Sequence, residues 1–463
     1  MKWRFPVMAL CVMLLSATLL LTGLTVSQNS TLAFSPLGFP SSKEGSTIWS
    51  KQVPNAAGYC IAPSPDGSYL YVGGANWSNT GDSNSWEPAL WKYDSSGEQI
   101  WNTTLNTPGP KSSPSVSGML ITGFLDIAVS PGGEAVYAVG QFLNDSSGPP
   151  AWDAILVKFS ASDGTPIWNL TLSEDAHDYL YAVTISPDGN TVYISGKLSK
   201  SGGIHSFYVA AVDASSGNPL WTYELDDSSG VSYDLALSSD GNVLYAVGKY
   251  VDTQLIALDT STHSQLWNVT LGSDRSIYSA KVSSDGSKIH ALAVDYDDVC
   301  YYLTLNASNG SRLGNEKTLD LVDNPYNFDI TSNESEIIAT AHALGNEKPL
   351  IIAEYTVSGT LSGVITAPDW YTISYDVAAS DNNSVYVVGY YENNIAGEHY
   401  MFLLEGYAEP VSSSLGLYSA LLAYAAFSQP FTSVPMSSYL LAGAAVLVVA
   451  LVAAYFGLKT KGQ

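Results

Sequence analysis

Between residues 181 and 225, hydrophobic and polar positions alternate with a period of two in four short runs: YAVTI, TVYISG, FYVAAVD and PLWTYEL. Successive side chains of a strand face opposite ways, so this is the pattern of a four-stranded antiparallel sheet. Asp188-Gly189 is expected to close the first hairpin in a primed turn, where glycine takes a positive φ without steric cost, and Ser216-Gly217-Asn218-Pro219 closes the last. The same order of runs then recurs along most of the chain.

The first strands align on the turn that follows them as GYCIAPSPDG, FLDIAVSPGG, YAVTISPDG, YDLALSSDG, IYSAKVSSDG, FDITSNES and YDVAASDNN, seven in all. Self-similarity at a period of roughly 45 to 65 residues predicts a propeller or an array of sheets. The fourth strands share a tryptophan, at Trp101, Trp168, Trp221 and Trp267, and are replaced in the fifth and sixth repeats by residues 312–319 and 360–366. The seventh repeat lacks a fourth strand, whereas residues 46–53 (STIWSKQV, with Trp49) form a strand without a hairpin partner. The surplus at one end matches the deficit at the other. The expected fold is therefore all-β, a seven-bladed propeller of four-stranded antiparallel blades closed by the N-terminal strand beside residues 400–405. An open β-solenoid would not need its ends to complement each other.

The two ends of the chain change the picture. Residues 1–27 place Lys2 and Arg4 before a long apolar run, a signal peptide or uncleaved anchor that contains Cys11, and residues 28–45 are a Ser/Pro-rich spacer. After the propeller at 46–408, a juxtamembrane linker at 409–437 carries a short apolar helix over 415–427. Residues 438–458 follow as a transmembrane helix, uncharged and long enough to cross the hydrocarbon core. The tail at 459–463 holds Lys459 and Lys461, which places it in the cytoplasm and the bulk of the chain outside the cell. Acidic residues outnumber basic ones 43 to 18, for a net charge of -25. That balance argues against a nucleic-acid partner, which needs clustered Lys and Arg. Cys60 and Cys300, far apart in sequence, read as buried small hydrophobes.

SPDGNTVYISG and SPDGSYLYVGG resemble the surface propellers of the YVTN and SBBP repeat types, and DAILVKFSASDGTPIWNLTL resembles the latter most. AVDASSGNPLW and ALDTSTHSQLW resemble the docking motif of quinoprotein (PQQ-like) repeats, in which each blade's tryptophan stacks on the next blade's backbone. The resemblance covers nearly all of residues 46–407 and implies the fold rather than an activity. A quinoprotein dehydrogenase would imply a redox cofactor, calcium and a vicinal cysteine pair. No two cysteines here are adjacent, so no cofactor is carried over.

Candidate chemistry is sparse. Asp126, Asp234, Asp329 and Asp376 fall at one position of the first strands, which line a propeller's channel, and can either bind a cation there or accept backbone N–H groups. Asp295, Asp297 and Asp298 offer oxygen ligands to calcium or form an acidic, solvated hairpin. Trp77 and Trp86 break the repeat inside an insertion at 75–88, read as a rim loop presenting an aromatic platform or making its own small core; a second insertion lies at 107–118. Acceptor sites for N-glycans occur at Asn29, Asn76, Asn102, Asn144, Asn169, Asn268, Asn306, Asn309, Asn333 and Asn382. Neither an arginine triad, a metal-binding histidine spacing nor a GxSxG elbow is present, so no catalytic residue is assigned. The expected function is a noncatalytic binding, adhesion or scaffold module at the cell surface, with surface proteins or glycans as partners. The alternatives are an exported metal-dependent lactonase or hydrolase using the four aspartates and a quinoprotein-like oxidoreductase.

Overall fold

The computed structural model describes residues 49–79, 84–107, 122–144, 151–174, 177–227, 229–272, 274–297, 299–323, 327–330, 336–341, 351–356, 361–366, 372–379, 385–393, 398–406 and 409–410. These residues form seven antiparallel sheets. From inside outwards, blade 1 is Ala56–Pro63, Tyr69–Asn79, Asn84–Asp94 and Gln99–Thr104. Blade 2 is Gly123–Val129, Ala135–Asn144, Ala151–Ser160 and Pro166–Leu172, and blade 3 is Tyr179–Ile185, Thr191–Lys200, Ile204–Asp213 and Pro219–Asp227. Blade 4 comprises Val231–Leu237, Val243–Tyr250, Asp252–Asp259 and Gln265–Thr270; blade 5 comprises Arg275–Val282, Lys288–Asp295, Val299–Asn306 and Lys317–Asp323. Blade 6 runs Phe328–Ile330, Glu336–Ala341, Ile351–Thr356 and Leu361–Thr366. Blade 7 is Thr372–Ala379, Val385–Asn393 and Glu398–Gly406, and its fourth place is taken by Trp49–Pro54.

The closing strand pairs antiparallel in the register Trp49↔Glu405 to Pro54↔Tyr400, as the strand count required. First strands touch their neighbours in order around the ring, blade 7 against blade 1 included. The fold is thus a closed seven-bladed propeller. Glu409–Pro410 adds a fifth strand to blade 6 beside Gly363 and Val364, a return that the repeat pattern did not reveal. The fourth strand of blade 5 lies at Lys317–Asp323 rather than at 312–319; within 312–316, Arg312 makes only an isolated bridge to Leu305.

The core lies between blades. Middle strands are buried almost throughout because a neighbouring blade covers each face, whereas the outermost strands of blades 1 to 4 alternate exposed and half-buried residues. One interblade cluster joins Ile61, Val72 and Trp91 of blade 1 to Val388, Met401 and Leu403 of blade 7, with Val53 of the closing strand against it. The shared tryptophans bind successive blades: Trp101 and Trp168 donate Nε1 to Ala161 O and Ala214 O of the next blade, each at 3.3 Å. Trp168 lies over Gly217, where a Cβ would come within 2.8 Å of its ring. In blade 4 that turn position is His263, with φ 61°, and its ring stacks on Trp221 at 5.0 Å. The resemblance to PQQ-like docking therefore holds at Trp101, Trp168, Trp221 and Trp267, the last lying over Gly310 of the next blade; the side chain of Trp49 lies outside the described residues.

The hairpin at Asp188-Gly189 differs from the primed turn expected. Gly189 takes φ 74° and its N–H donates to Ser186 O, but Asp188 stays at negative φ, so the loop is built on an ordinary turn ending in a left-handed glycine. Ser186 completes it by donating to Asp188 and accepting from Thr191 N. One further glycine is fixed by close approach. A Cβ on Gly196 would lie 2.0 Å from Tyr179 O, because the first strand bulges towards it. Gly196→Ala is expected to cost roughly 3 kcal/mol in chemical denaturation, since backbone rather than a side chain must move; a cost below roughly 0.5 kcal/mol would show that the strands separate freely.

Among the described residues no helix is long and apolar enough to cross a membrane. The signal or anchor at 1–27, the spacer, the insertion at 107–118 apart from Thr107, the apolar helix at 415–427, the span at 438–458 and the tail lie outside the described residues.

Candidate functional site in the channel

Six of the seven first strands carry a β-bulge at one level. The register slips between Gly58 and Cys60, Phe124 and Asp126, Leu180 and Ala182, Ser232 and Asp234, Ile277 and Ser279, and Ser374 and Asp376. The residue skipped is Tyr59, Leu125, Tyr181, Tyr233, Tyr278 or Tyr375. A bulge re-aims the side chain it carries. All six line one cavity of about 660 Å³ at the centre of the ring. Tyr59 meets Tyr375 edge-on at 5.1 Å across blades 1 and 7, and Tyr181, Tyr233 and Tyr278 run across blades 3 to 5 at 5.8 and 5.0 Å. Burial holds the phenols of Tyr59, Tyr181 and Tyr233 above their ordinary range, so they stay neutral.

The four aspartates form the next level, and the structure brings all of them to this cavity. Each accepts its own following N–H through Oδ1: Ile127, Leu235 and Ile330, and Val377 for Asp376, at 2.7 to 2.8 Å. Through Oδ2 each also accepts from the next blade. Asp126 holds Val183 N at 2.7 Å, Asp234 holds Ala280 N at 2.9 Å, Asp329 holds Ala379 N at 2.8 Å and Asp376 holds Ile61 N at 2.7 Å. The last bond spans the point of ring closure. Where blades 1, 3 and 5 have Cys60, Ala182 and Ser279 instead, the following N–H is left for the preceding blade's carboxylate. Cys60 itself is buried and donates Sγ to Phe124 O at 3.6 Å, and the Cys300 side chain is buried too. Ser279 Oγ lies 2.8 Å from Asp234 Oδ2 and 2.7 Å from Asn327 Oδ1, and Asn327 Nδ2 donates to Asp376 Oδ1 at 2.6 Å. A polar chain thus runs from blade 4 to blade 7.

Burial pushes Asp376 up to about 7, against the bonds from Ile61 N and the field of Lys281. Asp126 is raised by burial and then by the charge of Asp234, and Asp329 is raised by burial. Among the described residues, Lys281 is the one Lys or Arg side chain lining the cavity. Burial works to lower its pKa, but the summed field of Asp234, Asp329, Asp376 and Asp126 outweighs this and raises it. It makes no ion pair or hydrogen bond of its own among the described residues.

Among the described residues no three His, Cys, Asp or Glu side chains gather closely enough to hold a metal ion, the aspartate ring included. Asp295 accepts from Asp297 N and Val299 N, both at 2.9 Å, and from the Tyr301 hydroxyl, so it is engaged in its own hairpin; Asp298 lies outside the described residues. The insertion at 75–88 is an extension of the Tyr69–Asn79 and Asn84–Asp94 hairpin, not a free loop, and Trp77 pairs with Trp86 across it. Trp86 is 3% exposed and meets Tyr390 edge-on at 6.3 Å, which makes it core between blades 1 and 7. The platform reading is corrected there because long paired strands fold the indole inwards. Asn102, Asn169 and Asn268 stand exposed on outermost strands. Asn309 is exposed, Asn306 caps its own turn, and Asn76 and Asn144 bond Thr104 and Asp153; Asn29, Asn333 and Asn382 lie outside the described residues.

Sequence reasoning missed the tyrosine belt, Lys281 and Asn327. The tyrosines occupy the column immediately before the aspartates, but a period of two assigns that column to the opposite face; only the bulge turns it inwards. Lys281 was visible as a lone basic residue in an otherwise small and apolar column.

A family model described as outer membrane protein assembly factor BamB matches residues 40–205 and 205–321. No curated protein matches the chain. Among solved structures, hydrazine synthase of Kuenenia stuttgartiensis aligns at 15% identity and TM-score 0.50, over 74% of this chain and 94% of that one. The Cps50 (Swd1) β-propeller domain of Myceliophteria thermophila aligns at 12% identity and TM-score 0.50, over 76% and 99%. At such identities these structures share the fold alone.

Proposed function

The chain belongs to the PQQ-like repeat family of the outer membrane protein assembly factor BamB, and from that premise we propose that it is a noncatalytic binding or scaffold module, tethered to a membrane and displayed at the cell surface. The observation that carries this reading is how the channel carboxylates are used. Each holds two neighbouring blades together through backbone N–H groups, and among the described residues no nucleophile, base and oxyanion set assembles beside them. A metal-dependent hydrolase would need a ligand set that the described residues do not provide.

The apolar segments at 1–27 and 438–458 support the tether, with Lys459 and Lys461 inside. The exposed Asn102, Asn169 and Asn268, at one position on three blades, suit glycan attachment and leave the rim to meet surface proteins or glycans. Protease added to intact expressing cells is expected to release a soluble fragment of nearly the whole mass. Cleavage only after permeabilisation would reverse the orientation. Calorimetric titration of the chain with Ca²⁺ and Mn²⁺ is expected to show no tight single site; one such site would restore the metal-enzyme reading.

A further inference from the structure

The channel combines three features, and the scaffold reading draws on the first of them only for its bonds between blades. Its carboxylates are dispersed: Asp126, Asp234, Asp329 and Asp376 stand on blades 2, 4, 6 and 7, with Lys281 of blade 5 as the one Lys or Arg among the described residues of the lining. Four carboxylates against one ammonium leave a formal charge of 4 − 1 = 3 negative when all are ionised. No three of the acids meet at a point where a compact metal ion would satisfy them. Above them lies the belt of five tyrosines, whose ring faces attract ammonium groups and whose apolar area suits methylenes. The cavity, at about 660 Å³, is of a size that holds an extended small molecule.

We propose that this channel binds an organic polycation of the di- or polyamine class, with ammonium groups shared among the four aspartates and the methylene chain laid against Tyr59, Tyr181, Tyr233, Tyr278 and Tyr375. Lys281 shows the chemistry already at work. Its side chain is a four-carbon alkylammonium inside the same cavity, and its charge is stabilised there by the carboxylates despite burial. A ligand anion would meet the opposite field. A polyamine differs from a hard metal ion in spreading its charge over the distance that separates the acids.

Proton release accompanies binding. Asp376, held near 7, faces Asp126, Asp234, Asp329, Lys281, Cys60 and His290 as well as the tyrosine belt. Amines stay charged across this range, whereas Asp376 changes from mostly protonated at pH 6 to mostly ionised at pH 8. One released proton tightens binding about tenfold between those values.

The test is calorimetry on the full chain with spermidine, putrescine and Ca²⁺ at pH 6 and pH 8. One spermidine site is expected, stronger at pH 8, with Ca²⁺ unable to displace it at equal concentration. Tyr233→Leu should weaken it about fivefold through loss of a cation–π face. Lys281→Met should strengthen it at least tenfold, because the resident cation no longer opposes the ligand; a merely acidic surface would respond to neither variant. Absence of saturable binding, several equivalent salt-sensitive sites, or binding unchanged in both variants overturns the proposal. So does equal competition by Ca²⁺. None of these results bears on membrane orientation, which the protease experiment reads separately.

Discussion

Removal of Trp49–Pro54 is expected to abolish cooperative unfolding of the propeller, a far larger effect than loss of six residues from a loop. The strand pairs along its whole length with Glu398–Gly406, and Val53 packs on the cluster between blades 7 and 1. Without it, the third strand of blade 7 becomes a bare edge and the seam loses one wall. At roughly 1 kcal/mol net per ladder hydrogen bond plus the half-buried Val53, the loss is about 5 kcal/mol or more, comparable with the whole stability of many domains. Lys51 Nζ also reaches Glu98 of blade 1 at 2.6 Å, but that pair is exposed and contributes little. Deletion of six residues upstream, at 38–43, is the control. A deleted chain that still unfolds in one transition of unchanged midpoint would show that Asp376 and the core close the ring unaided, and the exposed edge should otherwise appear as aggregation.

Stability measured by denaturant is expected to peak near pH 4 to 5 and to fall as pH rises to about 7. The sign follows from two sets of aspartates. Asp376 keeps a proton in the folded state up to about 7, whereas in the unfolded chain it loses that proton near the ordinary value of about 4. Between those values the folded state binds more protons than the unfolded one, so stability declines with rising pH, by up to about 4 kcal/mol for this group alone. Asp126 and Asp329, also raised by burial, act in the same direction. The turn aspartates act oppositely: serine hydroxyls lower Asp66, Asp188 and Asp240, and bring Asp213 down to about 2. Their contribution is present above the unfolded value and is lost as pH falls towards 2. In Asp376→Asn, which cannot ionise, the decline between pH 5 and 7.5 should shrink measurably. A wild-type profile that rises over that interval would mean that the channel acids are ionised throughout.

Much of the ring was legible because a propeller is written in short-range signals. Alternation marks the strands, SPDG marks the hairpins, and the mismatch between the orphan strand around Trp49 and the incomplete last repeat predicts closure. Even the tryptophans announce their interblade role, because one residue type recurring at one strand position has one structural job. These features depend on neighbours within a single hairpin or on counting, and a sequence supplies both. What the chain alone left open depended on which way a side chain turns. The aspartates stood at one position, but that position is equally compatible with an ion site and with backbone capture. Only the approach of Val183, Ala280, Ala379 and Ile61 from adjacent blades gave each carboxylate its partner. Trp86 looked like a loop residue until the strands on either side paired and buried it against Tyr390. The tyrosine belt was hidden by a one-residue bulge, which reverses the face that periodicity assigns, and Lys281 became the counter-charge of the channel only when four separate blades placed their acids around it. Local pattern therefore determined the blades and their number, whereas the channel's chemistry was decided by contacts between residues as far apart as Ile61 and Asp376, which no local pattern encodes.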